Sequence, residues 1–260
     1  MKINFRFGTQ TAEAEKINKS EGVIIDPADF IKKGKKVAKD LVSVAHELHA
    51  SAEDIKYDID QIRDRDPAAT SAVEVALFYS GFHALAAHRL AHAFNERGYT
   101  LTARAISQGA RLITGIEIHP GAKIGKGVFV DHGSGVVIGE TAIVGDNCTI
   151  YQGATLGGTG KDTGKRHPTL GNNVMVGAGA KVLGPINVGD NSKIAAGAVV
   201  LRDVPPDCTA VGIPARIIYK AGKRPSQDLD QIHIPDPVAR EFAALRKEIK
   251  ELREKIENQN

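Results

Sequence analysis

The sequence predicts an α+β chain in which an all-helical N-terminal domain precedes a parallel β-helix and a C-terminal helix follows. Three observations predict this: apolar residues with a helical period up to about residue 115, a six-residue aliphatic repeat from Ile118 onward, and a heptad pattern near the end. We therefore divide the chain into an undecided N-terminal extension (1–30), a helical domain (31–116), a β-helix that carries the catalytic residues (117–220) and a tail with the terminal helix (221–260).

The helical domain is indicated by apolar residues at spacings of four, three and four. Val37, Leu41, Val44 and Leu48 follow this pattern, and residues 71–94 form a longer alanine-rich segment with a broad apolar face. The Asp66-Pro67 pair predicts a boundary, because proline fits a first helical turn and disfavours helix at the preceding residue. This part of the chain therefore predicts several short helices.

The β-helix is indicated by an aliphatic residue at every sixth position, with a two-residue slip after Val130 and a long loop after Leu156. A period of six does not fit an amphipathic helix, whereas one short strand and one corner fit into six residues. Three such hexads make one coil of a triangular prism, with the aliphatic residues inward and glycines at the corners. The thirteen residues of the repeat, which predict about four coils, are Ile118, Ile124, Val130, Ile138, Val144, Ile150, Leu156, Leu170, Val176, Val182, Val188, Ile194 and Val200.

The C-terminal segment has the spacing of a coiled coil. Glu241 and Glu248 at g positions could pair with Arg246 and Arg253 at e positions of a parallel neighbour. A single amphipathic helix packed on its own chain is the alternative, and the sequence leaves both open. The apolar residues at alternating spacings of four and three are Val238, Phe242, Leu245, Ile249, Leu252 and Ile256.

Composition and charge argue against several classes of protein. A net charge of +3 and scattered basic residues argue against a nucleic-acid partner. No apolar run approaches the length of a membrane span, and the first ten residues lack the apolar core of a signal peptide. Cys148 and Cys208 form neither a disulfide framework nor a CxxC motif, so we expect a reducing compartment and a cytoplasmic location.

Reactive side chains stand out where the six-residue repeat is broken. His132 follows Asp131 at the slip, and Arg166 and His167 end the long loop. A broken repeat gives up regular packing, so these positions are candidates for function. His119 and the remaining histidines are expected to be structural or solvated.

A purely structural solenoid and a zinc site are the alternatives. Histidines of neighbouring coils bind zinc in carbonic anhydrases built on the same kind of solenoid, and such a site needs three neutral imidazoles. Here His132 and His167 each lie beside a charged residue, and the coils contain no close histidine pair. We therefore expect no metal.

Acyl transfer to a hydroxyl fits these residues better. A hydroxyl is a weak nucleophile at neutral pH and needs a base, which His132 could supply. A carboxylate behind the imidazole fixes its tautomer, and Glu117 lies fifteen residues earlier, less than one coil of about eighteen residues away. The two residues could therefore lie at neighbouring corners.

The remaining polar residues describe a pocket for an amino acid. Arg166 and His167 suit a carboxylate, for which the arginine fork is well shaped. Asp66 and Asp131 suit an ammonium group. An amino acid whose side chain carries the attacking hydroxyl would satisfy both pairs.

Several motifs together resemble serine O-acetyltransferase, within the hexapeptide-repeat acyltransferases. The repeat alone is shared by many acyltransferases, whereas the combination of DRDPA, DHG and GGTGK with RHP is specific. The hexapeptide pattern resembles that of the left-handed β-helix family, so we expect the coils to be left-handed. The general rule for parallel crossovers would predict a right-handed path. The motifs, which span about residues 55–220, are RDRDPA, GFHAL, EIHPGAKIGKGVFVDHGSGVVIGETA, QGATLGGTGKDTGKRHPTLG, GAGAKVLGPINVG and VGIPAR.

The resemblance implies transfer of acetyl from acetyl-CoA to the hydroxyl of L-serine, giving O-acetyl-L-serine and CoA, the first step of cysteine biosynthesis, with feedback inhibition by L-cysteine. It implies that His132 is the general base and Glu117 its carboxylate partner, and that the long loop closes over the site. Acetyl transfer to a sugar or another hydroxyl acceptor is the alternative. The implied serine-binding residues are Asp66, Asp131, Arg166 and His167. The implied acetyl-CoA contacts, in a groove between subunits, are Gly158, Ala178, Ala196 and Arg216.

Assembly is also implied by the resemblance, with two departures from the family pattern. The family forms trimers that pair into hexamers through the helical domains, so we expect a hexamer first and a trimer second. Glu117 stands where other members carry aspartate. The family's usual tail ends in an isoleucine that inserts into O-acetylserine sulfhydrylase, whereas this chain ends in KIENQN. Binding to that enzyme is therefore doubtful, and we expect the terminal helix to serve self-association.

Overall fold

The computed structural model describes residues 27–50, 52–160, 163–219 and 237–257. The described residues divide into two compact units, with the boundary between Ser43 and Val44. Most of the undecided N-terminal extension, the segment 220–236 and the last three residues lie outside the described residues.

Helices occupy the N-terminal part of the chain and its C-terminal segment, as the apolar periodicity predicts. The second helix ends at Arg65, directly before Asp66-Pro67, which confirms the predicted boundary. Ser71 then caps the next helix by accepting from the backbone N–H of Glu74 at 3.2 Å. The helices are α1 (Pro27–Ala50), α2 (Ala52–Arg65), α3 (Ala72–Phe78), α4 (Ser80–Glu96), α5 (Thr100–Thr114) and α6 (Pro237–Glu257).

Short strands begin where α5 ends, and the first thirteen each contain one residue of the aliphatic repeat. Twelve of these thirteen aliphatic side chains are buried, and Ile124 is partly buried. The strands are β1 (Glu117–Ile118), β2 (Lys123–Ile124), β3 (Phe129–Asp131), β4 (Val137–Ile138), β5 (Ile143–Val144), β6 (Thr149–Tyr151), β7 (Thr155–Gly157), β8 (Thr169–Leu170), β9 (Met175–Val176), β10 (Lys181–Leu183), β11 (Asn187–Val188), β12 (Lys193–Ile194), β13 (Val199–Val200), β14 (Cys208–Val211) and β15 (Arg216–Tyr219).

The strands form three sheets, because each of the strands β1 to β10 pairs in parallel with the strand three positions later in the chain. Sheet A has the order β1-β4-β7-β10-β13, sheet B has the order β2-β5-β8-β11, and sheet C runs from β3 through β6, β9, β12 and β14 to the antiparallel β15. The chain therefore passes from sheet A to B to C and back to A, as the predicted prism requires. We name the three edges of the prism the A–B, B–C and C–A corners.

The β-helix has five coils, where the hexad count predicted about four. Val200 in β13 opens the fifth coil, Val204 bridges to Val188 on sheet B, and β14 closes the coil on sheet C. The spacing within this coil departs from six, because Val204 lies only four positions after Val200, and its sheet C position is the small residue Ala210. A search for a strict hexad therefore misses it.

The helical part packs directly on the first coil. A Cβ atom placed on Gly81 of α4 would lie 2.1 Å from the carbonyl oxygen of Val130, so only glycine allows this approach to β3. An apolar cluster of Ile62, Val75, Phe82 and Phe129 joins α2, α3 and α4 to the same strand. These contacts place the loop after α2 beside the end of β3.

The terminal helix α6 confirms the predicted C-terminal helix. Its apolar side chains stay about half exposed, with values of 58% for Phe242, 48% for Leu245, 50% for Ile249 and 52% for Leu252. None of the helices within the described residues has the length and apolar character needed to cross a bilayer.

Candidate active site

His132 projects from the prism because the first C–A corner contains two additional residues. Asp131 pairs with Tyr151 of the next coil, and the N–H of Gly153 donates to Ser134 at 2.9 Å. One residue separates Tyr151 from Gly153, whereas His132, Gly133 and Ser134 lie between Asp131 and the corresponding Gly135. The slip in the repeat is therefore an insertion of His132 and Gly133, and the His132 side chain is 75% exposed.

The backbone of His132 is left-handed, with φ of 56°. The other non-glycine residues with positive φ in the described parts of the chain are asparagine or aspartate. Asp131 and Ser134 hold this turn, because the Asp131 carbonyl accepts from Gly133 at 2.6 Å and the His132 carbonyl accepts from Ser134 at 2.9 Å. An ordinary side chain costs about 1 kcal/mol or more in this conformation, which marks the corner as a functional candidate.

Asp131 and Asp66 form an acidic group beside His132. The carboxylate of Asp131 lies 3.9 Å from Nε2 of His132. Burial raises the pKa of Asp131, His132 opposes that rise, and Asp66 adds to it, which indicates that the two carboxylates are close. The hydroxyl of Tyr79 donates to Oδ2 of Asp66 at 2.7 Å. The structure therefore places Asp66 and Asp131 in one neighbourhood with His132, and the roles expected of these residues stay predictions.

Glu117 lies at the start of β1, on the sheet that the chain enters directly after His132. Its strand pairs with β4, where Glu117 is in register with Val137. Its carboxylate forms an ion pair with Arg111 of α5 at 3.0 Å. Glu117 is thus held by the helical part of the chain, and its expected contact with His132 stays a prediction.

Arg166 and His167 form a second group at the A–B corner. Arg166 pairs with Glu140 through a short ion pair, and its backbone N–H donates to the Thr141 hydroxyl at 3.0 Å. The backbone N–H of His167 donates to the same hydroxyl at 3.1 Å. Thr141 therefore fixes the end of the long loop against the corner between β4 and β5.

The imidazole of His167 is buried against Gly139, where a Cβ atom would lie 2.0 Å from its Cδ2. The backbone N–H of Thr141 donates to Nδ1 of His167 at 3.1 Å, so the proton of the neutral ring is on Nε2. Burial lowers the pKa of His167, and Arg166 lowers it further. His167 is therefore a neutral Nε2–H donor at pH 7.

The two groups lie on opposite edges of sheet A. His132 belongs to the corner that leads into β4, and Arg166 and His167 belong to the corner that leaves it. One chain alone does not bring its His132 to its own Arg166 and His167. A heterologous contact, in which two different surface patches of neighbouring copies meet, would unite them.

Two of the expected acetyl-CoA positions lie on the same corner as His132. The N–H of Gly179 donates to Gln152, and that of Gly197 donates to Ala178, each at 2.8 Å. This column therefore runs from Ser134 through Gln152 and Ala178 to Ala196, with about 4.8 Å between successive coils. Apart from Gln152, the side chains of this column are small and leave room for an extended chain.

The other two expected positions lie elsewhere. Gly158 is exposed in the A–B corner, where a Cβ atom would lie 3.3 Å from the carbonyl oxygen of Arg166. Arg216 begins β15, after the last coil. The four positions are therefore divided between the two edges of sheet A and the end of the prism.

No group of three or more histidine, cysteine, aspartate or glutamate side chains that could hold a metal ion occurs among the residues that the structure describes.

Both cysteines are free and buried. Burial raises the pKa of the Cys148 thiol to about 12, so this thiol stays protonated at neutral pH.

Four residues of the site neighbourhood were not predicted from the sequence. Tyr79 lies between α3 and α4 and Arg111 lies in the last turn of α5, and nothing in their spacing distinguishes them from the neighbouring residues. Glu140 and Thr141 follow the repeat residue Ile138. The sequence did contain a signal for Glu140 and Thr141. The long loop before Leu170 leaves the A–B corner and returns to it, and these two residues lie at the same corner in the preceding coil.

Two sequence families match parts of the chain. The family of bacterial transferases with hexapeptide repeats (six repeats) matches residues 167–202. The N-terminal family of serine acetyltransferases matches residues 33–87. Together these matches cover parts of both the helical region and the coils.

Curated relatives match most of the chain. A serine acetyltransferase of Bacillus subtilis is 55% identical over 204 residues, which is 78% of this chain and 94% of that protein. A serine acetyltransferase of Synechococcus elongatus is 57% identical over 199 residues, which is 76% of this chain and 81% of that protein.

Solved structures share the fold. A serine acetyltransferase complexed with cysteine has a TM-score of 0.69 at 39% identity, covering 74% of this chain and 77% of that one. The Brucella abortus enzyme with coenzyme A has a TM-score of 0.67 at 44% identity, covering 71% and 74%. The Neisseria gonorrhoeae enzyme with serine has a TM-score of 0.65 at 39% identity, covering 68% and 74%.

Proposed function

The chain belongs to the serine acetyltransferase family, and we propose from that membership how its residues transfer acetyl from acetyl-CoA to the hydroxyl of L-serine. The products are O-acetyl-L-serine and CoA, and the reaction is the first step toward cysteine. Acetyl-CoA is the co-substrate. The observation that supports our assignment of the residues is the separation of His132 from Arg166 and His167 onto two edges of sheet A.

The active site lies between two subunits in this proposal. The C–A corner of one subunit provides His132 and Asp131, and its helical part provides Asp66. The A–B corner of the neighbour provides Arg166 and His167. A trimer, typical of hexapeptide-repeat proteins, uses a heterologous interface of this kind three times.

The serine substrate is held at both ends of its amino-acid group. Asp66 and Asp131 bind the ammonium group, and Arg166 of the neighbouring subunit binds the carboxylate through its fork of donors. His167 adds a neutral N–H donor to that carboxylate, since its buried ring keeps the proton on Nε2. The hydroxyl is thereby directed toward His132.

His132 acts first as base and then as acid. It takes the proton of the serine hydroxyl as the oxygen attacks the thioester carbonyl carbon. When the tetrahedral intermediate collapses, the carbon–sulfur bond breaks and the imidazolium returns the proton to the CoA sulfur. Glu117 stabilises the imidazolium and sets its tautomer.

Acetyl-CoA runs along the C–A corner in this proposal. The column of small residues places Ala178 two coils and Ala196 three coils beyond Ser134, or about 10 Å and about 14 Å along the prism. Gly158 of the neighbour lines the opposite side of the groove, and Arg216 meets the phosphate end. L-cysteine has the same ammonium and carboxylate groups as serine, so it occupies the serine site and inhibits.

Assembly beyond the trimer uses the helical parts. Leu112 and Ile113 of α5 are 88% and 85% exposed, and Phe78 of α3 is 78% exposed. Apolar residues of this size at such exposure support an interface. We propose a hexamer in which the helical domains join two trimers, and a trimer is the alternative. We also propose that α6 forms a parallel coiled coil between copies. A cytoplasmic location and the doubtful binding to O-acetylserine sulfhydrylase both stay predictions.

The test is the release of CoA from acetyl-CoA with L-serine, with galactosides and without an acceptor. We expect serine-dependent release that exceeds the galactoside and blank reactions. Release that depends on a galactoside and not on serine would favour the alternative, an acetyltransferase for a sugar. No release with any acceptor would contradict the enzyme assignment.

A further inference from the structure

Tyr79 holds the carboxylate of Asp66 from the junction of α3 and α4. Its hydroxyl donates to Oδ2 of Asp66 at 2.7 Å, while the backbone N–H of Ala68 donates to Oδ1 at 2.8 Å. Each oxygen of Asp66 therefore has one fixed donor. The direction in which the carboxylate presents its remaining lone pairs is set by these two bonds.

The Tyr79 ring is itself fixed by packing. It lies against the apolar cluster that contains Ile62, Val75 and Phe129. Phe129 belongs to β3, the strand that ends at Asp131. The same cluster therefore fixes the Tyr79 hydroxyl relative to both carboxylates of the acidic group.

The hydroxyl is a permanent donor. Burial raises the pKa of Tyr79 well above its ordinary value, and the hydrogen bond to Asp66 raises it further. The proton therefore stays on the tyrosine across the working pH range, and the hydroxyl remains a donor to Asp66.

We propose that Tyr79 positions Asp66 to bind the ammonium group of the amino acid, so that it sets the affinity for serine and for cysteine together. The inference rests on the proposed function of the site. Tyr79 takes no part in the proton transfers, because its hydroxyl is committed to Asp66. Its loss should therefore affect the binding of amino acids and leave acetyl transfer nearly intact.

The test is Tyr79→Phe, which removes one oxygen and keeps the ring in its apolar cluster. We expect the KM for serine to rise about 3- to 10-fold, the effect of losing one typical hydrogen bond, because Tyr79 acts on the substrate only through Asp66. The kcat should stay within about 2-fold, and the KM for acetyl-CoA should not change. The dissociation constant of cysteine, measured by calorimetry, should rise by the same factor as the KM for serine.

Tyr57→Phe is the matched control. The Tyr57 hydroxyl donates to Oδ1 of Asn147 at 3.0 Å, away from the acidic group, so its loss should leave the KM for serine unchanged. Equal effects of the two variants, or an unchanged KM in Tyr79→Phe, would overturn the inference.

A double-mutant cycle with Asp66→Asn separates positioning from general damage. If Tyr79 acts through Asp66, Tyr79→Phe should add no further loss of cysteine affinity in the Asp66→Asn background. An additive loss would contradict the inference. A wild-type enzyme that releases no CoA with serine would instead contradict the proposed function.

Discussion

Arg111 Nη1 lies 3.0 Å from Glu117 Oε2, and this ion pair joins the last turn of α5 to the first strand of the β-helix. Arg111 is 54% exposed, so we expect the pair to contribute less than about 1 kcal/mol to stability. Its effect is instead to restrict the carboxylate that we assign to His132. We predict that Glu117 serves both Arg111 and His132.

Arg111→Ala should therefore lower kcat about 2- to 10-fold with little loss of stability, because Glu117 becomes free to turn away from His132. Arg63→Ala is the control, since Arg63 forms a comparably exposed ion pair with Asp60 at 3.9 Å. Steady-state kinetics at saturating serine and acetyl-CoA measure the difference. Identical kcat values in both variants would show that Arg111 does not orient Glu117.

His132→Ala should lower kcat about 10²- to 10⁴-fold, the usual loss when a general base is removed. Arg166→Ala should raise the KM for serine. If the two corners belong to different subunits, co-expression of these variants restores activity, because about a quarter of the sites in randomly mixed trimers combine both intact residues. Two purification tags select the mixed oligomers before CoA release is measured.

The control for this mixture combines His132→Ala with Asp131→Ala. Both residues lie on the C–A corner, so every site that gains one intact residue lacks the other. We expect no restored activity. If the first mixture also stays inactive, all the residues of one site come from a single chain.

The terminal helix α6 should form a parallel, in-register coiled coil between copies. Ile249 is 50% exposed at an a position, so a cysteine there would meet its counterpart within disulfide distance. Ile249→Cys should cross-link under mild oxidation, as seen on a non-reducing gel. The native cysteines are both buried and should not interfere.

Lys247→Cys is the control for this cross-link. Lys247 lies at an f position, its side chain is 80% exposed, and it pairs with Glu251 of its own helix at 3.8 Å. We expect no cross-link there. Absence of the cross-link at both positions would favour a helix packed on its own chain.

Acid should destabilise the fold through His88. Burial, with His92 and Arg89 nearby, lowers the pKa of His88 to about 3. In the unfolded chain this histidine binds a proton near pH 6.5, whereas in the folded chain it stays neutral down to about pH 3. The free energy of unfolding is therefore at its full value above pH 6.5 and falls as the pH drops. The loss is about 1.4 kcal/mol per pH unit within that window.

In His88→Gln, unfolding should take up about one proton fewer between pH 6.5 and pH 3, so the free energy of unfolding should fall less steeply with pH. This change in slope is independent of the stability at pH 7. Denaturant unfolding at pH 7, 6 and 5 and at one protein concentration measures the slope. His46→Gln, an exposed position on α1, is the control and should keep the wild-type slope. Equal slopes for all three proteins would mean that His88 does not govern the response.

The prism was predictable because one environment repeats along it. Each hexad aliphatic residue points into the same stack, so its period in the sequence reports its position in space, and each of the thirteen falls in a separate strand. The slip at His132 was visible for the same reason, since an insertion of two residues shifts every later residue of the repeat. The fifth coil was missed because Val204 follows Val200 after four positions instead of six and Ala210 replaces the usual aliphatic residue.

The distribution of the site residues over the corners was not predictable from spacing alone. His132 and His167 are both polar residues at interruptions, and only the assignment of strands to sheets separates them onto two edges. Tyr79 and Arg111 were missed because their partners, Asp66 and Glu117, depend on how the helices pack against the first coil. Packing of this kind leaves no period in the sequence.

The parallel stacking of the coils gives the enzyme a molecular ruler. Each added coil of about eighteen residues would lengthen the prism by about 4.8 Å without altering any corner. In our proposal, one coil inserted between Gln152 and Ala178 would leave the corner of His132 unchanged and move Ala178 and Ala196 about 4.8 Å farther from it, whereas the length of acetyl-CoA is fixed. In our proposal the number of coils therefore sets the length of the groove, and the two-residue insertion sets the position of His132 along it.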